Sequence, residues 1–97
     1  MSAAARLGDP ISCGDTIAGG SGNVFINGMP AARQTDVTAG HGCFPPTTIQ
    51  VGSATVFING LPAARVGDAI VSHTCNVTPF PTHGGTVAVG SGNVFIG

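Results

Sequence analysis

The sequence predicts an all-β fold: a small pseudo-threefold repeat domain of short strands and hairpins, stapled at one end by a metal. Three observations predict it. A Gly-Ser…Val-Phe-Ile element occurs three times, and two of the copies run into Asn-Gly. No stretch carries the sustained apolar periodicity with caps that a helix needs. Every His and every Cys falls in the segments where the three copies differ.

The repeat is direct. Gly20-Ser21-Gly22-Asn23-Val24-Phe25-Ile26 returns as Gly52-Ser53-Ala54-Thr55-Val56-Phe57-Ile58 and again as Gly90-Ser91-Gly92-Asn93-Val94-Phe95-Ile96. Fixed-period self-similarity of this kind points to stacked supersecondary units. Each copy follows a second element: Ala5-Arg6-Leu7-Gly8-Asp9, Ala32-Arg33-Gln34-Thr35-Asp36 and Ala64-Arg65-Val66-Gly67-Asp68. All three Arg and three of the four acids lie in these Arg-x-x-Asp turns, and Asp15 is the only charge outside them. Each Arg and Asp are placed to pair locally, although an exposed pair would add little stability. The whole chain, 1-97, reads as a single domain of three units, roughly 1-28, 29-60 and 61-97. Asn27-Gly28 and Asn59-Gly60 supply the positive φ that two-residue hairpin turns require, so each Val-Phe-Ile run is expected to end in a tight turn. Val24, Phe25, Ile26, Val56, Phe57, Ile58, Val94, Phe95 and Ile96 are the expected core and base.

The composition bounds the function. In 97 residues, 42% are hydrophobic and only 7% charged, with 16 Gly and neither Trp nor Tyr. A surface so poor in charge is ill suited to a free monomer, which implies cover by another protein. A net charge of -1 with no Lys gives no electrostatic case for nucleic acid or an anionic membrane. No segment is apolar for long enough to span a bilayer, and the first ten residues lack a signal-peptide core. The expectation is therefore synthesis in the cytoplasm and no export by the signal-peptide route. Three Cys, an odd number, argues against a closed disulfide framework and for metal ligation.

Register selects the candidate ligands. Cys13-Gly14-Asp15-Thr16-Ile17 aligns with His83-Gly84-Gly85-Thr86-Val87, and the same place in the second unit is Pro45, which cannot ligate. His41 and His73 each lie five positions after a turn Asp, and each is followed by x-Cys. Cys13, His41, His73 and His83 thus form two equivalent pairs. Three imidazoles and one thiolate suit tetrahedral Zn²⁺, and a closed shell of four is structural, with no position for an activated water. Such an ion would clip the three loops together and make up for the small core of so short a chain. Cys43 or Cys75 could supply the sulfur in place of Cys13, or could pack as buried thiols.

Pro30-Ala31-Ala32-Arg33 and Pro62-Ala63-Ala64-Arg65 spell the motif of the PAAR-repeat proteins, with Ala3-Ala4-Ala5-Arg6 a degenerate first copy. The chain resembles that family over its whole length. The resemblance implies a conical β-fold whose base binds the end of a trimeric VgrG-type spike and whose sharp end holds zinc through His and Cys. It also implies a structural, non-enzymatic role: the tip of a type VI secretion spike, fired across a target membrane and able to carry effector proteins. Where family members often have His in the first unit, this chain has Ser12-Cys13-Gly14, which keeps a ligand type and leaves the sulfur assignment open. The competing reading is a zinc-dependent hydrolase. Four Asp and no Glu leave it few general bases, and a catalytic ion needs an open coordination position.

Overall fold

Asn27 and Gly28 both adopt positive φ (54° and 77°), as do Asn59 and Gly60 (54° and 79°). Each pair closes a two-residue hairpin of the mirror-image kind that matches strand twist. The computed structural model describes residues 1–97. It contains no helix, and its strands are two residues each: β1 (Ser2–Ala3), β2 (Phe25–Ile26), β3 (Met29–Pro30), β4 (Phe57–Ile58), β5 (Leu61–Pro62), β6 (His73–Thr74), β7 (Thr82–His83) and β8 (Phe95–Ile96). The sequence therefore predicts the class and the shortness of the strands correctly.

All pairing is antiparallel. β2 pairs with β3 and β4 with β5, setting Phe25 opposite Pro30 and Phe57 opposite Pro62. The third Val-Phe-Ile does not pair through a hairpin. Instead β8 pairs with β1, setting Phe95 opposite Ala3, so the two ends of the chain complete the third pair. The remaining pair, β6–β7, sets His73 opposite His83.

The three pairs meet at the alanines. Ala32 donates its backbone N–H to the Ala5 carbonyl, Ala64 to Ala32, and Ala5 to Ala64, each at 3.0 Å. This is a closed ring of three bonds around one axis. All three residues are buried, and any larger side chain would compete with the others for the axis. The ring divides the interior into two stacked clusters. One holds Ala5, Ala32 and Ala64 with Ile11, Ile17, Ile49, Ile70 and Val87, and Cys13 packs against it. The other holds Ala4, Ala31 and Ala63 with Ile26, Ile58 and Ile96. The expected core residues therefore split along each strand. The Ile is buried and the Phe points out, with Phe25, Phe57 and Phe95 at 56%, 57% and 51% exposure. Strand alternation dictates this result.

Each Arg-x-x-Asp turn closes on itself. Arg6 Nη2 donates to Asp9 Oδ1 at 2.9 Å and Arg6 Nε to Asp9 Oδ2 at 3.0 Å, and the other two turns repeat both bonds. These bidentate bonds to Asp hold all three guanidinium groups above their ordinary pKa. The remaining Arg nitrogen ties neighbouring parts together. Nη1 of Arg6 donates to Asn27 Oδ1, that of Arg33 to Asn59 Oδ1, and that of Arg65 to the Gly97 carbonyl, at 3.1, 3.0 and 3.0 Å. The same three oxygens accept Ser91, Ser21 and Ser53 Oγ–H at 2.5, 2.6 and 2.6 Å. Each acceptor thus joins two copies of the repeat, and the belt runs right round the molecule. The long axis measures 41 Å, against 24 and 21 Å across.

Candidate metal centre

Four elements deliver four donor side chains to one point. In the first, a turn closed by Gly14 N–H on the Ile11 carbonyl (3.0 Å) presents Cys13. In the second, His41 and Phe44 exchange both backbone bonds across Gly42-Cys43, at 3.1 and 2.8 Å, which fixes the His41 end of its loop. β6 and β7 supply the other two, because directly opposed residues of an antiparallel pair project to the same face. The ligand atoms of Cys13, His41, His73 and His83 all lie within 4.8 Å of one another.

The three Nε2 atoms face inward, with separations of 3.3 Å (His41–His73), 3.0 Å (His41–His83) and 2.7 Å (His73–His83). The His73 tautomer follows from its surroundings. Its Nδ1 lies 2.8 Å from the Pro45 carbonyl, which can only accept, so neutral His73 donates Nδ1–H there and turns the Nε2 lone pair toward the cluster. His83 is pushed below its ordinary pKa, first by removal from water and then by His73 and His41, while Asp15 pulls the other way. The balance favours a neutral imidazole, which is the form that binds metal. Donors about 2.0–2.1 Å from a tetrahedral zinc ion would sit about 3.3 Å apart, close to the spacing of these nitrogens. The residues present therefore fit a metal ion: three imidazole nitrogens and one sulfur converge on one point.

Two contributors carry no signal in a motif search. Phe44 stacks on His83 with ring centroids 3.8 Å apart and on His41 at 5.0 Å, walling one side of the cluster. Pro45 occupies the second unit's non-ligating place, yet its carbonyl orients His73.

The cysteines require a correction. Cys43 and Cys75 form a disulfide, with their Cα atoms 5.0 Å apart. The odd count argues against a closed disulfide framework, yet one bridge forms, and neither residue is a buried free thiol. Parity requires one Cys to be left over, but it does not prevent the other two from meeting. The two His-x-Cys segments are equivalent parts of adjacent repeats, so bringing His41 to His73 also brings Cys43 to Cys75. Cys13 is the free thiol, and its sulfur is the one in the cluster.

The helix-free fold, the closed ring of alanines and the Cys/His cluster together define a small all-β repeat protein with a candidate metal site. The family model for the PAAR motif matches residues 8–79, and the chain belongs to that family. Membership associates it with the tip of the type VI secretion spike, the place of a structural family. Comparison with curated proteins returns no match.

Proposed function

We propose that this chain, a single domain of three units (1-28, 29-60 and 61-97), caps the trimeric VgrG-type spike of a type VI secretion system, one chain per trimer. The observation that carries this reading is the Ala5–Ala64–Ala32 ring. It sets three strand pairs around one axis, so one polypeptide offers a trimer three matching edges. The three Phe at nearly equal exposure support it, because exposed apolar groups repeated around an axis suit a flat symmetric partner. Edge strands beside them could continue the β-structure of the spike.

At the other end, Cys13, His41, His73 and His83 hold one zinc ion. The ion supplies a rigid cross-link among these loops. Cys43–Cys75 adds a second clip beside it. The mechanism is mechanical: a narrow tip concentrates force at the target membrane, and the clips keep the loops from splaying. The chain resides in the cytoplasm before firing, is then delivered by the machine, and carries effector proteins on surfaces outside the base. Nothing favours a hydrolase, since a closed set of four donors leaves no position for water.

The test is native mass spectrometry of the purified chain, alone and mixed with a trimeric VgrG-type spike. The expected result is one zinc per chain and one chain per three spike subunits. A folded, metal-free chain that ignores the trimer, or three chains bound per trimer, overturns the proposal. Replacing Phe25, Phe57 and Phe95 by Ser should abolish the complex and leave the zinc.

A further inference from the structure

Of the four carboxylates, three are bound bidentately by their own Arg. Asp15 is the exception. It is 2% exposed and no Arg or Lys remains to pair with it. Its Oδ1 accepts two backbone N–H bonds, from Thr16 at 2.8 Å and from Gly40 at 2.9 Å. Gly40 immediately precedes His41, and Asp15 lies two positions after Cys13, so this oxygen ties the Cys13 loop to the His41 loop. Its Oδ2 is buried with no hydrogen-bond partner.

A buried carboxylate oxygen with neither partner nor counter-charge is costly, and removal from water makes the cost larger. Symmetry gives no reason to keep one there. The matching places in the other two repeats hold Thr47 and Gly85, which carry no charge. The Cys43–Cys75 disulfide also lies in these loops but carries no charge, which leaves the four-donor cluster as the feature that calls for a carboxylate. Its charge can be counted: a divalent ion, one thiolate and three neutral imidazoles leave a net charge of about +1, because a coordinating thiol gives up its proton. A carboxylate two positions from Cys13 and bonded to the residue before His41 brings the sum to zero.

We infer that Asp15 is a positioning and charge-balancing residue of the apical metal site, with Oδ1 setting the spacing of two ligand loops and the carboxylate charge offsetting that of the loaded site. The inference rests on the metal-site reading above. It predicts that Asp15 is unfavourable in the metal-free protein and favourable in the loaded one. A purely structural residue would contribute equally to both.

The experiment uses the full chain, zinc ion as the probe, competition against a chromophoric chelator, and thermal melts with and without zinc. Asp15→Asn keeps an oxygen for the Thr16 and Gly40 bonds and removes the charge. It should weaken zinc binding about tenfold to hundredfold, the usual effect of losing an outer partner of a metal site. Its metal-free melting temperature should match or exceed that of the parent, while its zinc-loaded one falls. Asp15→Ala, which also loses the two bonds, should bind zinc more weakly still. Zinc affinity equal to the parent's in Asp15→Asn overturns the inference, as does an equal fall of both melting temperatures or a failure to fold without zinc. If the parent chain itself binds no zinc, the metal-site reading fails and takes this inference with it. If the parent binds and Asp15→Asn binds equally well, only the inference about Asp15 fails.

Discussion

One methyl group placed on Gly52 tests whether the Gly of each Gly-Ser element is there for close approach. A Cβ at Gly52 would lie 2.7 Å from Pro62 Cβ, 2.8 Å from its carbonyl oxygen and 2.9 Å from its carbonyl carbon. Carbon atoms in ordinary contact sit about 3.5–4.0 Å apart, so the β5 strand would have to retreat by about 0.8 Å or more. That strand is not free to move. The Pro62 carbonyl accepts Gln34 N–H at 2.8 Å, and the chain runs directly on to Ala64 in the axial ring. Overpacking costs about 1–3 kcal/mol, and a backbone obstacle puts this case at the top of that range. Against it stands about 0.4–1 kcal/mol gained by restricting the unfolded chain, for a net loss of about 2 kcal/mol. At about 4–8 °C per kcal/mol for a domain of this size, Gly52→Ala should melt about 8–16 °C below the parent. The sequence supplies the control. A Cβ at Gly92 meets nothing within 4 Å, and Ala54 already fills the matching place in the second repeat. Gly92→Ala should therefore be neutral or raise stability by up to about 1 kcal/mol. Far-UV circular dichroism is the appropriate signal, because the chain has no Trp or Tyr for fluorescence. If Gly52→Ala stays within about 0.5 kcal/mol of the parent, or Gly92→Ala falls as far, close approach is not what that glycine provides.

Three further outcomes are expected. Thr35 holds a φ of 77° where the equivalent Gly8 and Gly67 hold 91° and 94°; a β-branched residue is strained there, so Thr35→Gly should stabilise by about 1 kcal/mol, and a lower urea midpoint would contradict this. The Cys43–Cys75 link spans a sequence separation of 32, worth about 3.5 kcal/mol by loop-closure entropy, so a Cys43→Ser/Cys75→Ser protein should lose about that much in urea titrations and become indifferent to reductant. In the metal-free protein, His83 has a folded pKa below its unfolded value of about 6.5, because it is withdrawn from water and faces two other imidazoles. The unfolded chain then takes up protons first, so stability should be full above about pH 6.5 and fall on acidification toward the lowered value; a melting temperature that is flat or rises from pH 8 to 5 would refute this.

What the sequence disclosed follows from where the information resides. The Asn-Gly turns were legible because only a few residues accept positive φ, and Asn27 and Asn59 adopt it. The Arg-x-x-Asp turns were legible because the whole charge complement is so small that its placement has to mean something. Register pointed to Cys13, His41, His73 and His83 but left Cys43 or Cys75 open as the sulfur donor; it is the first four whose donor atoms converge in the structure. The disulfide was not legible: it is a through-space meeting of two loops, and a count of cysteines carries no distances. Phe44 was missed because a stacking ring leaves no mark distinguishing it from a core residue, and Pro45 because it acts through a backbone carbonyl. Asp15 did stand out, as the one charge outside the repeated turns, before there was any geometry to give it a role.

The two ends of the molecule answer to different symmetries, and this explains why the repeats agree in some places and diverge in others. The base carries three Phe, three Ser and three Arg-x-x-Asp turns in matching positions, as a threefold partner would require. A tetrahedral ion takes four donors, whereas three identical units can offer only multiples of three. Each repeat has two places near the apex: five positions after the turn Asp, and three before the Thr of Thr16, Thr48 and Thr86. Of these six places, His41, His73, Cys13 and His83 fill four, and the other two hold Gly14 and Pro45. Neither of those can ligate through a side chain, and both belong to the loops that bring the donors in. On the proposed assignment the repeat had to be broken at two of these places to reach a count of four. The same need accounts for the unequal loop lengths, because three loops that deliver two, one and one donors to a single point cannot all follow the same path.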